Sequence, residues 1–250
     1  MNTYFIYDGT IEIPVGTTHL IYSDGNQSPK NLPSTITHLS FGHRYNQPTN
    51  NLPSTITHLT FGVDYNQPTD HLPPGITDLT FGFYYNQPTN NLPSTITHLT
   101  FGWNYNQPTN NLPSAITHLT FGVDYNQPTD HLPPGITDLT FGRDYNQPTN
   151  NLTSAITDLT FGYKYNQPTN NLPSTITHLT FGHKYNQPTI FPKYITNIEF
   201  YGEYGRYIDD LYKLYQLTYT NIPAIAHHVN KNKHNLMMKS LMLLDCCLSF

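Results

Sequence analysis

The chain has 250 residues, of which 11% are charged, and a formal net charge of −5, so it lacks the basic stripe that nucleic acid or an anionic lipid surface requires. Its two cysteines, Cys246 and Cys247, are adjacent and cannot staple distant parts of a fold, which fits a reducing compartment. The first residues, MNTYFIYDGT, show neither the positive n-region nor the apolar h-region of a secretory leader, and the expectation is an intracellular, cytoplasmic protein that binds neither nucleic acid nor membrane.

Residues 1–30 contain a worn copy of a unit that recurs along the chain. Ile13-Pro14, Thr18-His19-Leu20-Ile21-Tyr22 and Asn26-Gln27 carry its pattern in degraded form, and Tyr4 to Tyr7 read as an extra strand, so this segment is expected to cap the N-terminal end of a stack. From Asn31 to Ile190 a sentence of the form NLPSTITHLTFGxxYNQPTN then runs eight times without a gap, starting at 31, 51, 71, 91, 111, 131, 151 and 171. Identical units that bury one face against their neighbours must repeat in space as they do in sequence, so each copy is one coil of a solenoid. Residues 62–82 and 122–142 are nearly the same string, an offset that points to duplication of a three-coil block. A shortened ninth copy occupies 191–204. Beyond it, Ile208, Leu211, Leu214 and Tyr215 recur at helical spacing. Residues 205–250 are therefore expected to form a helical C-terminal cap followed by an apolar tail from Leu236, too short and too charged to span a bilayer.

Within a coil, the run Thr-His-Leu-Thr-Phe alternates polar and apolar residues with β-branched ones enriched, which predicts a short strand. Leu39 and its equivalents to Leu179, and Phe41 and its equivalents to Phe181, then point inward as two buried columns. The isoleucines from Ile36 to Ile176 and the leucines from Leu32 to Leu172 should complete the core. The glycine after each Phe marks either a positive φ or a close approach by the next coil. The column from Asn46 to Asn186 predicts an asparagine ladder, and the tyrosine before each Asn is expected to pack its ring inward with its hydroxyl at the rim. One strand per twenty residues, all in one direction, makes a parallel sheet. With turns and prolines on the opposite side, the stack should bend with that sheet on its concave face. The fold class is mainly β, a leucine-rich-repeat-like solenoid.

The strand I-x-x-L-x-F-G, the aromatic-Asn-Gln-Pro turn (Tyr45-Asn46-Gln47-Pro48) and the Leu52-Pro53 that opens the next coil resemble the FNIP repeat family of leucine-rich-repeat-like solenoids. Members are typical of social amoebae and of large DNA viruses of amoebae. Two departures stand out: tyrosine replaces the family's usual phenylalanine, and the connection before each Leu-Pro is shorter. Some members carry an F-box before the repeats; here some thirty residues precede the first full copy, too few for one, so that route to ubiquitin ligases is not expected. The resemblance implies protein binding.

Two sets of outward residues are candidates for it. The residue before each strand Leu reads His38, His58, Asp78, His98, His118, Asp138, Asp158, His178, a column that either serves as a solvated polar row or meets a partner, a metal or a proton. No fixed three-ligand cluster accompanies it, and no metal or cofactor is expected. The two positions after each Phe-Gly vary most: His43-Arg44, Val63-Asp64, Phe83-Tyr84, Trp103-Asn104, Val123-Asp124, Arg143-Asp144, Tyr163-Lys164, His183-Lys184. Variation where all else is fixed means that these side chains do not build the coil, and aromatic anchors amid polar neighbours are the makings of an interface. For catalysis there is no P-loop, no G-x-S-x-G and no HExxH. Every polar type is repeated eightfold, unlike a single preorganised pocket. The sequence therefore predicts a non-catalytic scaffold that engages a protein partner through its concave strand face and the adjacent variable edge. The alternative is a structural protein that associates as a homo-oligomer through its C-terminal tail.

Overall fold

The structure, a computed structural model, describes residues 4–201 except 11, 24, 188 and 190. The expected C-terminal helical cap and the associating tail lie outside the described residues. Among the described residues eleven strands form one parallel sheet in chain order. They are β1 (Tyr4–Tyr7), β2 (His19–Tyr22), β3 (His38–Phe41), β4 (His58–Thr60), β5 (Asp78–Thr80), β6 (His98–Thr100), β7 (His118–Thr120), β8 (Asp138–Thr140), β9 (Asp158–Thr160), β10 (His178–Phe181) and β11 (Asn197–Phe200). Register follows the repeat: Leu39 faces Leu59, Leu59 faces Leu79, and so on to Leu179 opposite Leu159. The worn N-terminal copy and the shortened ninth copy keep the same alignment, with Leu20 opposite Leu39 and Ile198 opposite Leu179.

The inner strands are three residues long rather than the expected five. The Phe after each of them still donates its amide to the next coil, as from Phe81 to the Thr100 carbonyl at 2.9 Å. The chain then turns at Gly. None of the glycines after Phe has a positive φ, so the reason for glycine is close approach. A Cβ on Gly102 would lie 1.8 Å from the Gly82 carbonyl oxygen, and every post-Phe glycine from Gly62 to Gly182 faces the same obstacle.

Leu, Phe and Ile columns are buried as their periodicity predicts. The leucines before the Leu-Pro prolines sit at the margin, only partly buried except for Leu72. The tyrosines differ from expectation. Tyr45 through Tyr185 are 0–1% exposed, hydroxyl included, because the ring stacks on the Phe of its own coil at 3.6–3.9 Å. The hydroxyl then meets a buried threonine of the preceding coil, as in Tyr105 with Thr89 at 3.3 Å and Tyr165 with Thr149 at 2.9 Å. That threonine column, Thr49 to Thr169, is the buried polar set that the alternation pattern did not single out.

The asparagine ladder is present. Each Asn Oδ1 accepts the backbone N–H of the next Asn and a side-chain N–H of the next Gln, as Asn106 does from Asn126 at 3.0 Å and from Gln127 at 3.1 Å.

Curvature follows from the spacing of equivalent rings, which move from coil to coil by the local pitch when they share a rotamer. On the outward face of the sheet, His19, His38 and His58 stack at 4.0 Å. Inside, the Phe rings are 5.6–5.7 Å apart and the Tyr rings 5.9–6.1 Å apart. The pitch widens from the outer face through the core, so the stack bends towards the outer sheet face and that face is concave.

Candidate interaction surface

The concave face is built by the residues that alternate with the buried Leu. His38, His58, His98, His118 and His178 each stand on it, with Asp78, Asp138 and Asp158 taking the same place in three coils. A threonine one residue earlier fixes every member. Its Oγ1 donates to Oδ2 of Asp78, Asp138 and Asp158 at 2.5–2.7 Å, and in the histidine coils it lies 2.8–2.9 Å from Nδ1. The same hydroxyl is 3.2–3.4 Å from a carbonyl of the preceding coil. The imidazole tautomer sets the direction of the Nδ1–threonine bond; with the proton on Nδ1, the ring donates to Oγ1 and the hydroxyl donates to that carbonyl. Nε2 of His58 and His118 lies 3.4 and 3.3 Å from Oδ2 of Asp78 and Asp138. His178 Nδ1 lies 3.2 Å from Asp158 Oδ1. In the uninterrupted run His19–His38–His58, partial burial first, and then the two flanking imidazoles, hold His38 below its ordinary value, against a weaker opposite pull from Asp78. Among the described residues no three His, Cys, Asp or Glu side chains converge as a metal would need; the column is a line of side chains rather than a cluster.

The variable pair sits where the strand ends. A backbone ladder holds it: the N–H of the second residue donates to the carbonyl of the first residue one coil earlier, as Tyr84 to Val63 at 3.0 Å, Asn104 to Phe83 at 2.9 Å and Asp124 to Trp103 at 2.9 Å. Because only main-chain atoms carry that ladder, side-chain identity is unconstrained there. Phe83, Tyr84, Trp103 and Tyr163 are exposed at 37, 48, 44 and 40%. The structure gathers the first three into one patch: Phe83 packs on Tyr84 at 4.8 Å edge-on and stacks on Trp103 at 5.1 Å. Val63 and Val123 flank the patch, half-buried. Tyr163 stands apart, with Arg143 and Lys184 over its ring at 5.7 and 5.8 Å and His183 beside it at 5.3 Å. Lys164 pairs with Asp144 at 3.0 Å. His43 is exposed at the N-terminal end of the same edge.

Aromatic residues draw the eye to this edge in the sequence, and its carboxylates emerge only from the geometry. Asp64 and Asp124 bracket the aromatic patch, and neither is in an ion pair among the described residues. The signal available in sequence was the doublet Val-Asp on either side of Phe-Tyr and Trp-Asn.

A parallel sheet of short strands at twenty-residue intervals, with aliphatic and aromatic columns behind it, defines a leucine-rich-repeat-like solenoid. The family pattern described as FNIP Repeat matches residues 26–64, 45–84, 65–102, 85–124, 105–144, 125–151 and 145–184. The chain belongs to the FNIP repeat family. Among solved structures it is similar to CroV588, described as a novel circular LRR protein structure, with a TM-score of 0.63 and 33% sequence identity over 80% of this chain and 37% of that one. The chain thus spans little more than a third of that relative's length. A comparison with curated protein sequences gives no match.

Proposed function

We propose that the protein is a non-catalytic interaction scaffold that binds a protein partner through the concave strand face and the variable edge beside it. The observation that carries this reading is the contrast along one edge. The backbone ladder is the same from coil to coil, while the side chains it displays vary and place three aromatics in solvent, Tyr84 and Trp103 each packed on Phe83. Large aromatics at 37–48% exposure cost hydration without helping the coil, and interfaces draw their energy from such anchors. A standard interface buries about 800 Å² per partner, an area that several coils of edge and concave face supply. The repeated His and Asp column provides polar rim contacts on the same side.

The test is affinity capture from cell lysate with the wild-type chain and the Phe83→Ala/Trp103→Ala variant in parallel, both checked by circular dichroism. A protein enriched by the first and lost with the second is the expected result. Equal enrichment by both, or none by either, contradicts the assignment of the edge.

A further inference from the structure

We propose that the partner, if it binds at the variable edge as the proposed function has it, presents a cationic segment: Arg or Lys side chains laid against the Phe83–Trp103 rings, one beside the carboxylate of Asp64 and one beside that of Asp124.

The solenoid itself supplies the internal comparison. Positions 83, 103 and 163 belong to one column of the edge and carry exposed aromatic rings. At Tyr163 the neighbouring coils provide cations, Arg143 on one side and Lys184 on the other, within 5.8 Å of the ring centroid. Such a contact is favourable because the negative face of the π system attracts a positive charge. On the outer sides of Phe83 and Trp103 the neighbouring coils hold Val63 where Tyr163 has Arg143, and Val123-Asp124 where it has His183-Lys184. Valine is neutral and too short to cover a neighbouring ring, and Phe83 and Trp103 remain 37 and 44% exposed.

The charges around the patch have the sign that a cation needs. Asp64 and Asp124 stand one residue after those valines, on the coils either side of the aromatic pair, and neither has an ion-pair partner among the described residues. Asp144, one coil beyond Asp124, is by contrast already paired with Lys164 at 3.0 Å. The patch therefore combines exposed rings with a carboxylate on each flank that is in no ion pair among the described residues. An acidic partner would be repelled there, and an apolar one would leave both carboxylates without a counter-charge at the contact. Cationic side chains at the two flanks satisfy rings and carboxylates together, and complementary charge of this kind sets specificity and speeds encounter. The formal net charge of −5 on the whole chain adds a field of the same sign.

Trp103 is the only tryptophan, so its fluorescence reports this site alone. The full chain would be titrated with a short peptide alternating arginine and glycine, and with its glutamate counterpart. The expected result is a saturable fluorescence change with the arginine peptide and none with the glutamate peptide. Affinity should be about tenfold lower in D64N/D124N, the loss of two exposed ion pairs. Asn already occupies this position as Asn104, so the variant keeps the coil. Phe83→Leu, which retains apolar bulk without the ring, should weaken binding as well. Absence of a saturable change, equal response to both peptides, or unchanged affinity in D64N/D124N overturns the proposal.

The captured partner separates this inference from the reading beneath it. Capture lost in the Phe83→Ala/Trp103→Ala variant but kept in D64N/D124N leaves the edge as an interface and overturns its preference for cations. Capture unaffected by either variant overturns both.

Discussion

The burial of a tyrosine hydroxyl in every coil is the chemical choice that sets this solenoid apart from one built on phenylalanine. Burial pushes the hydroxyls of Tyr45 and Tyr105 up to about 12, against a smaller opposing effect of hydrogen bonding. The hydroxyls are thus neutral donors or acceptors throughout the physiological range. Their satisfaction is uneven: Tyr165 meets Thr149 at 2.9 Å, whereas the Tyr85 hydroxyl faces Thr69 without reaching hydrogen-bond geometry. Tyr165→Phe should then cost about 1 kcal/mol and Tyr85→Phe close to nothing, because only the first breaks a made bond and strands its threonine. Urea unfolding of the two variants side by side checks the difference. His38 gives a pH dependence at the same scale. Its folded-state pKa is lowered from 6.5, so the folded chain takes up that proton less readily than the unfolded one, and stability falls as pH drops through 6.5 towards the lowered value. NMR titration should place the His38 midpoint below 6.5, and His58→Asn should raise it, since His58 is a flanking cation when protonated. A His38 midpoint at or above 6.5 contradicts this account of the stack.

At the scale of one coil, much was legible in sequence and the exceptions have physical causes. Alternation in His38-Leu39-Ser40-Phe41 placed Leu and Phe inside and His outside, the repeated apolar Ile36 ahead of the strand was added to the core, and the structure agrees. The invariant asparagine announced its ladder, since a side chain that repeats in register can pair only along the stack. The tyrosine hydroxyls were not legible. Placing them inside depends on Thr89 or Thr149 one coil earlier, and no single coil shows that relation. The glycine was legible as special but not as to why, because φ and close approach leave the same residue in the sequence. Its column now yields a sharp expectation. Gly102→Ala would put a methyl 1.8 Å from the Gly82 carbonyl oxygen, a backbone atom that cannot swing aside, and should cost about 3 kcal/mol or more. A Gly102→Ala chain with an unchanged urea midpoint would show that the coils separate more easily than their spacing indicates. The candidate edge was legible through its variation alone. Its grouping of Phe83, Tyr84 and Trp103 into one contact set needed the geometry, as did the isolation of Tyr163 between Arg143 and Lys184.

The molecule as a whole is one-dimensional. Each coil touches its neighbours, the pitch is constant for equivalent rings, and 20-residue spacing is kept from His38 to His178. Stability in such an array is a sum of coil and interface terms. Removing whole coils should therefore shorten the stack without breaking it. Deletion of 71–130 joins Asp70 to His131, the same junction that exists at Asp70-His71. That variant should fold with the spectrum of the parent and a smaller urea m-value, in proportion to the surface it no longer buries. It also lacks Phe83, Tyr84 and Trp103, and so should lose partner capture. A deletion of half a coil shifts every column out of register and should not fold; if it did, the columns would not be what holds the stack.

The central claim is a division of labour in which repeated residues build the solenoid and the variable edge is left to meet a partner. The most direct measurement is equilibrium urea unfolding of the Phe83→Ala/Trp103→Ala variant beside Phe101→Ala. The account predicts a change of under about 1 kcal/mol for the edge pair and about 3 to 5 kcal/mol for the single core ring. A loss of that larger size from the edge variant would make Phe83 and Trp103 part of the framework and remove the ground for treating the edge as an interface.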